Sequence, residues 1–128
     1  MPTSRRLIHP RKLFGLLVVF GIFFLLFGFG STPEAGHLVG SPWDKAIHIG
    51  VFAVLVIGLR AALPNLSTPL IAGLALSIGL ADELHQYLVP GRQPGFDDWL
   101  ADCVGTLGGL LAWPQLERLL FFGPQCPT

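Results

Sequence analysis

The chain has 128 residues, 52% hydrophobic and 12% charged, and its eight basic and eight acidic side chains cancel. Soluble domains carry about 25% charged residues, so this much apolar surface argues for a lipid surrounding and against a water-soluble domain. The neutral balance gives no pull toward nucleic acid, and the two cysteines, Cys103 and Cys126, suggest neither a disulfide framework nor a zinc-finger array.

Residues 1–12 hold Arg5, Arg6, Arg11 and Lys12, forming a basic N-terminus. Leu13–Gly30 follows, eighteen residues without a charged or polar side chain. At 1.5 Å per residue that length spans the hydrocarbon core. It is long for the apolar region of a signal peptide and reads as a retained helix. Ser31–Trp43 is a loop rich in Gly, Pro and Ser. A second helix is expected from Asp44 to about Leu63. Asp44 favours its N-terminal dipole, Arg60 marks the far end, and Pro64-Asn65 breaks it. The third begins near Thr68-Pro69, has an apolar body over Leu70–Ala81, then turns polar at Asp82, Glu83, His85 and Gln86, and ends at Pro90-Gly91. The fourth runs from Asp97-Asp98 to about Trp113, where Pro114 is expected to end or kink it. Leu116–Phe122 either continues that helix or lies in the interface.

The fold class is therefore all-α, an integral membrane bundle of about four transmembrane helices. Residues 13–122 form the membrane domain and 123–128 a C-terminal tail. Arg5, Arg6, Arg11, Lys12, Arg60 and Arg118 fall on one side, against Lys45 and Arg92 on the other. Basic residues favour the cytoplasmic face. Both termini are thus expected inside, and the polar cluster outside.

Three helix ends converge on that outer face. The second helix brings Asp44, Lys45 and His48; the third brings Asp82, Glu83, His85 and Gln86; the loop brings Arg92; the fourth brings Asp97, Asp98 and Asp102. Asp44 and His48 are four apart and share a face that Phe52 and Leu55 continue inward. Glu83 and Gln86 share another. Asp98, Asp102, Gly105 and Gly109 form one stripe, whose glycines permit close helix approach and turn the acids into the bundle. His48 and Asp102 sit a turn below the helix starts, where an ionisable group must be paired or wetted. A network is expected, with Asp44, Glu83, Asp98 and Asp102 against Lys45, Arg92 and His48.

These segments carry a resemblance. Asp44-Lys45-Ala46-Ile47-His48 with Phe52 resembles the DKxxHxxxF opening of the VanZ-like family. Glu83-Leu84-His85-Gln86 resembles its ExxQ element, Pro90-Gly91-Arg92 its PGR turn, and Asp98 through Gly109 its DxxxNxxGxxxG helix. Order and spacing agree across all four. Asp102 stands where that pattern has Asn. An ionised carboxylate there accepts but cannot donate, so it needs a cation, with Arg92 or Lys45 nearest by topology. The resemblance implies a small multi-pass protein of the bacterial cytoplasmic membrane and a link to glycopeptide (teicoplanin) resistance.

The expected function is binding of a cell-envelope lipid head group, a lipid-linked cell-wall precursor or a glycopeptide. The ligand-binding candidates are Asp44, Lys45, His48, Glu83, Gln86, Arg92, Asp98 and Asp102. Arg92 presents a planar fork suited to phosphate or carboxylate. The alternatives are an intramembrane hydrolase or transferase and a structural or partner-binding subunit. His48, Glu83 and Asp98 are the catalytic candidates, and the same three would hold a divalent metal if one is used. No HExxH motif, nucleophile elbow or P-loop is present. No nucleic-acid partner is expected. Asp82, His85 and Asp97 read as solvated helix-end residues, and His9 and His37 as surface residues. Trp43, Tyr87 and Trp99 read as an outer aromatic belt and Trp113 as its inner counterpart. Cys103 reads as a small packing residue.

Overall fold

The computed structural model describes residues 9–30, 32, 34–35, 40 and 42–123. Arg5, Arg6, His37, Cys126 and the tail beyond residue 123 lie outside the described residues, as does most of the first loop. Among the described residues the chain is all-helical, with no strand. Helix α1 covers Pro10–Phe23 and runs on as a π-helical stretch, Phe24–Phe29; α2 covers Trp43–Ala62; α3 covers Thr68–Tyr87; α4 covers Phe96–Glu117 and runs on as π-helical Arg118–Phe122. Proline stands in the first turn of α1 and of α3, where its missing N–H leaves no hydrogen bond unmade.

Pro114 does not end α4, and of the two sequence readings for Leu116–Phe122 the structure shows the one in which it continues the helix. The proline is exposed on the outer side of the bundle. Aromatic contacts secure the helical turns beyond it: Phe121 packs edge-on to Phe14 with centroids 5.9 Å apart and lies 6.4 Å from the Trp113 ring. Trp113 is accordingly buried rather than placed in an interfacial belt.

Helix α2 lies between α4 and α1, and α3 packs mainly on α4. The α2–α4 seam is close because α4 presents glycine to it. A Cβ at Gly105 would collide with the Ile49 carbonyl, and one at Gly109 would lie 2.6 Å from the Ala53 carbonyl oxygen. Phe52, Leu55, Val56, Ile71 and Ala75 form the fully buried apolar centre.

The distribution of polarity is inverted relative to a soluble domain. Asp82 and Asp102 are fully buried, while Phe20, Leu17 and Leu111 are 76%, 65% and 68% exposed. Soluble proteins rarely bury acids without a partner or expose so much contiguous apolar surface. Pro10–Phe29 and Trp43–Ala62 are each long and apolar enough to cross a membrane.

At the end where α1 begins and α2 and α4 finish, Arg11 clamps three helices together. Its guanidinium pairs with Glu117 at 2.6 Å, donates to the Arg60 carbonyl at 3.4 Å, and sits 5.3 Å from the Trp113 ring centre. Arg60 in turn donates to the Leu66 carbonyl at 3.1 Å, pinning the α2–α3 turn. Each of these charges is engaged by its neighbours.

Candidate functional site

The opposite end gathers the polar residues expected from the sequence, in two layers. The outer layer is organised by Lys45, in the first turn of α2. Its ammonium lies 2.7 Å from Asp97 Oδ2, 3.1 Å from Asp98 Oδ1 and 3.7 Å from Asp44 Oδ2. Asp97 is the more open member of the group, with its side chain 61% exposed. It is not simply solvated, since it shares the ammonium.

The inner layer lies beneath. His48 Nδ1 is 2.8 Å from Asp102 Oδ1. An ionised carboxylate only accepts, which makes Nδ1 the donor. The hydrogen-bonding partner of Asp102 is thus His48, in place of the expected Arg92 or Lys45. Helical register explains this: both residues lie one turn inside their helices, on faces brought together by the Gly105–Ile49 approach, while Asp97 and Asp98 hold Lys45 in the outer layer and Arg92 is engaged by Gln86. Gly79 of α3 makes room for the carboxylate, because a Cβ there would stand 2.6 Å from Asp102 Oδ2.

Arg92 serves the inner layer through a relay. Gly91 adopts φ +85°, a left-handed conformation that glycine takes without strain. The turn brings Arg92 back over α3, where its guanidinium donates to Gln86 Oε1 at 2.9 Å. Gln86 Nε2 donates to Asp82 Oδ2 at 2.8 Å. Glu83 Oε2 accepts from the Gly95 N–H at 3.0 Å, which ties the loop before α4 to α3.

Asp82 is the residue that sequence reasoning misplaced. It is fully buried rather than a solvated helix end. The signal was available: Ile71, Ala75, Gly79, Asp82 and Gln86 recur at helical spacing, and all are buried on one stripe of α3. Asp98 moves the other way. It belongs to the Lys45 layer, and the metal-compatible group is instead His48, Asp82 and Glu83, each offering one ligand atom within 4.8 Å of the others. His85 is half-buried against Phe27, with ring centroids 5.6 Å apart. Trp43 and Tyr87 are exposed at this end, while Trp99 is half-buried with its indole N–H on the Leu76 carbonyl at 3.4 Å. Cys103 is a free, half-buried thiol.

A cavity of about 170 Å³ opens onto the inner layer. Leu25, Phe29, Ile47 and Val51 line its apolar part, and His48, Asp82, Gln86 and Arg92 line its polar part. Glu83 borders a separate shallow groove with Leu80, Leu84, Tyr87, Phe96 and Trp99.

Fold and site together define a small all-helical membrane protein with an ionisable centre at one end of its bundle. The chain belongs to the VanZ/LLP1 family, whose model matches residues 6–121, nearly its whole length. No match was found among curated proteins or among solved structures.

Proposed function

We propose that the chain crosses the bacterial cytoplasmic membrane four times, with both termini inside, and that its polar end holds the head group of a cell-envelope lipid at the outer face. The cavity carries this reading. One wall is apolar and the floor holds a guanidinium, an imidazole and carboxylates, which suits an amphiphile whose head group meets Arg92 while its chain lies along Leu25 and Phe29. Size narrows the ligand. Sites for drug-sized molecules run to about 300–1,000 Å³, so about 170 Å³ accommodates a head group rather than a whole glycopeptide. A lipid-linked cell-wall precursor fits this description, and a contribution to teicoplanin resistance would follow from holding it. The basic residues Arg11, Lys12, Arg60 and Arg118 on the opposite side support the orientation.

The test is native mass spectrometry of the protein purified in mild detergent. Wild type is expected to retain a phosphate-bearing lipid, and Arg92→Ala to lose it. Wild type free of lipid, or a folded Arg92→Ala that retains it equally, would defeat the reading.

A second reading, an intramembrane hydrolase or transferase acting on a phospholipid or lipid-linked precursor, is favoured by the His48–Asp102 pair. A carboxylate behind an imidazole that faces a cavity is the arrangement of a general base. It predicts head-group release from a labelled phospholipid, abolished by His48→Ala.

A further inference from the structure

We propose that His48, Asp82 and Glu83 form a binding site for one Zn²⁺ ion beside the cavity, which His48 and Asp82 line. Their three candidate ligand atoms lie within 4.8 Å of one another, contributed by two helices. Proximity of acids alone would not suffice, and the hydrogen bonding of each residue adds the decisive pattern. Every one of the three has one polar atom held by a neighbour and one left over. His48 Nδ1 is held by Asp102, leaving Nε2. Asp82 Oδ2 is held by Gln86, and its Oδ1 is buried without a hydrogen-bond partner. Glu83 Oε2 is held by the Gly95 N–H, and its Oε1 is likewise buried and unpartnered. Metal ligands are oriented in this way, through an outer shell that fixes the tautomer of a histidine and the rotamer of a carboxylate. Buried polar atoms elsewhere in proteins are nearly always satisfied.

Charge points the same way. Lys45 is committed to Asp97 and Asp98, and Arg92 donates to Gln86. Among the described residues no Lys or Arg stands within ion-pair distance of Asp82, Glu83 or Asp102. Buried carboxylates left in that state are costly, and a divalent cation offsets the charge directly. The donor set selects the ion. An imidazole disfavours Mg²⁺ and Ca²⁺, and the lack of a thiolate in the group disfavours Cu⁺. Three protein ligands with one open position are the usual surroundings of a reactive Zn²⁺. The open position would face the cavity, since His48 and Asp82 both line it. A phosphate oxygen could complete it, a consequence that rests on the head-group reading, whereas the ion site does not. An ion on Nε2 also excludes His48 as the general base.

The full chain, purified in mild detergent and stripped with chelator, should be titrated with Zn²⁺. Wild type is expected to bind one equivalent, and Asp82→Asn and Glu83→Gln to lose stoichiometric binding. Asp102→Asn, which alters only the outer shell, should weaken binding about 10- to 100-fold. Asp97→Asn should leave it unchanged. X-ray absorption at the zinc edge of wild type, which needs no variant to fold, should show one imidazole with oxygen ligands and no sulfur. The site is refuted if wild type takes up no stoichiometric Zn²⁺, if sulfur enters the shell, or if folded Asp82→Asn binds undiminished. Zinc without lipid in the same preparation would sink the head-group reading and keep the ion site; lipid without zinc would do the reverse.

Discussion

The two ends of the bundle use similar residues for opposite purposes. At one end Arg11 meets Glu117, the Arg60 carbonyl and the Trp113 ring, so its charge is countered from three directions although its Nε is buried without a hydrogen-bond partner. At the other, Asp82, Glu83 and Asp102 are all buried, and among the described residues no Lys or Arg lies within ion-pair distance of them; Asp102 meets the His48 imidazole instead. A matched end fastens helices. An unmatched end stores a demand for positive charge or hydrogen bonding that a ligand can meet. Burial of a charge is therefore uninformative until its partners are identified.

The greatest loss should come from a change that disrupts both ends together. Gly109→Leu would drive a side chain into the Ala53 carbonyl and part α2 from α4. The loss should reach about 3 kcal/mol, at the upper end of overpacking costs, read as a fall in melting temperature in detergent. An unchanged melt would show that the seam is not closely packed. Arg11→Ala comes next. It removes a hydrogen-bonded ion pair and a ring contact, both partly exposed, for about 2 kcal/mol, and it should not alter ligand retention. Asp82→Asn should have the opposite sign in the metal-free protein. The amide oxygen still accepts from Gln86, while an uncompensated charge disappears, so stability should rise by about 1 kcal/mol. A fall in stability would mean that the two ends are alike. Asp97→Asn should do least. That carboxylate is exposed and shares Lys45 with Asp98, so no measurable change in melting is expected.

Much of this was legible in the sequence because helical periodicity and turn chemistry are local. The bounds of α2 and α3 fall within a residue or two of the expected ones, set by Pro64-Asn65, Thr68-Pro69 and Pro90-Gly91. The Gly105–Gly109 stripe correctly placed Asp102 inside the bundle. Two features depended on packing between distant segments and were not legible. Pro114 failed to stop α4 because Phe14 and Trp113 hold Phe121. Asp102 chose His48 because depth in the bundle matters more than formal charge. Asp82 is a different case: its inward stripe, shared with Ile71 and Gly79, was legible, and it was misjudged because its position near a helix end suggested solvent. The contact of Lys45 with Asp98 follows the expected network, because the sequence already brought the starts of α2 and α4 to one face.

The sharpest experiment sets Arg11→Ala beside Arg92→Ala, scoring each for melting temperature and for bound lipid by native mass spectrometry. Arg11→Ala should melt lower and keep the lipid, and Arg92→Ala should lose the lipid with its melt within about 1 kcal/mol of wild type in stability, the net worth of one hydrogen bond. If Arg92→Ala instead melts as low as Arg11→Ala and retains the same bound mass, the polar end is a second clamp, and its assignment as a ligand site is wrong.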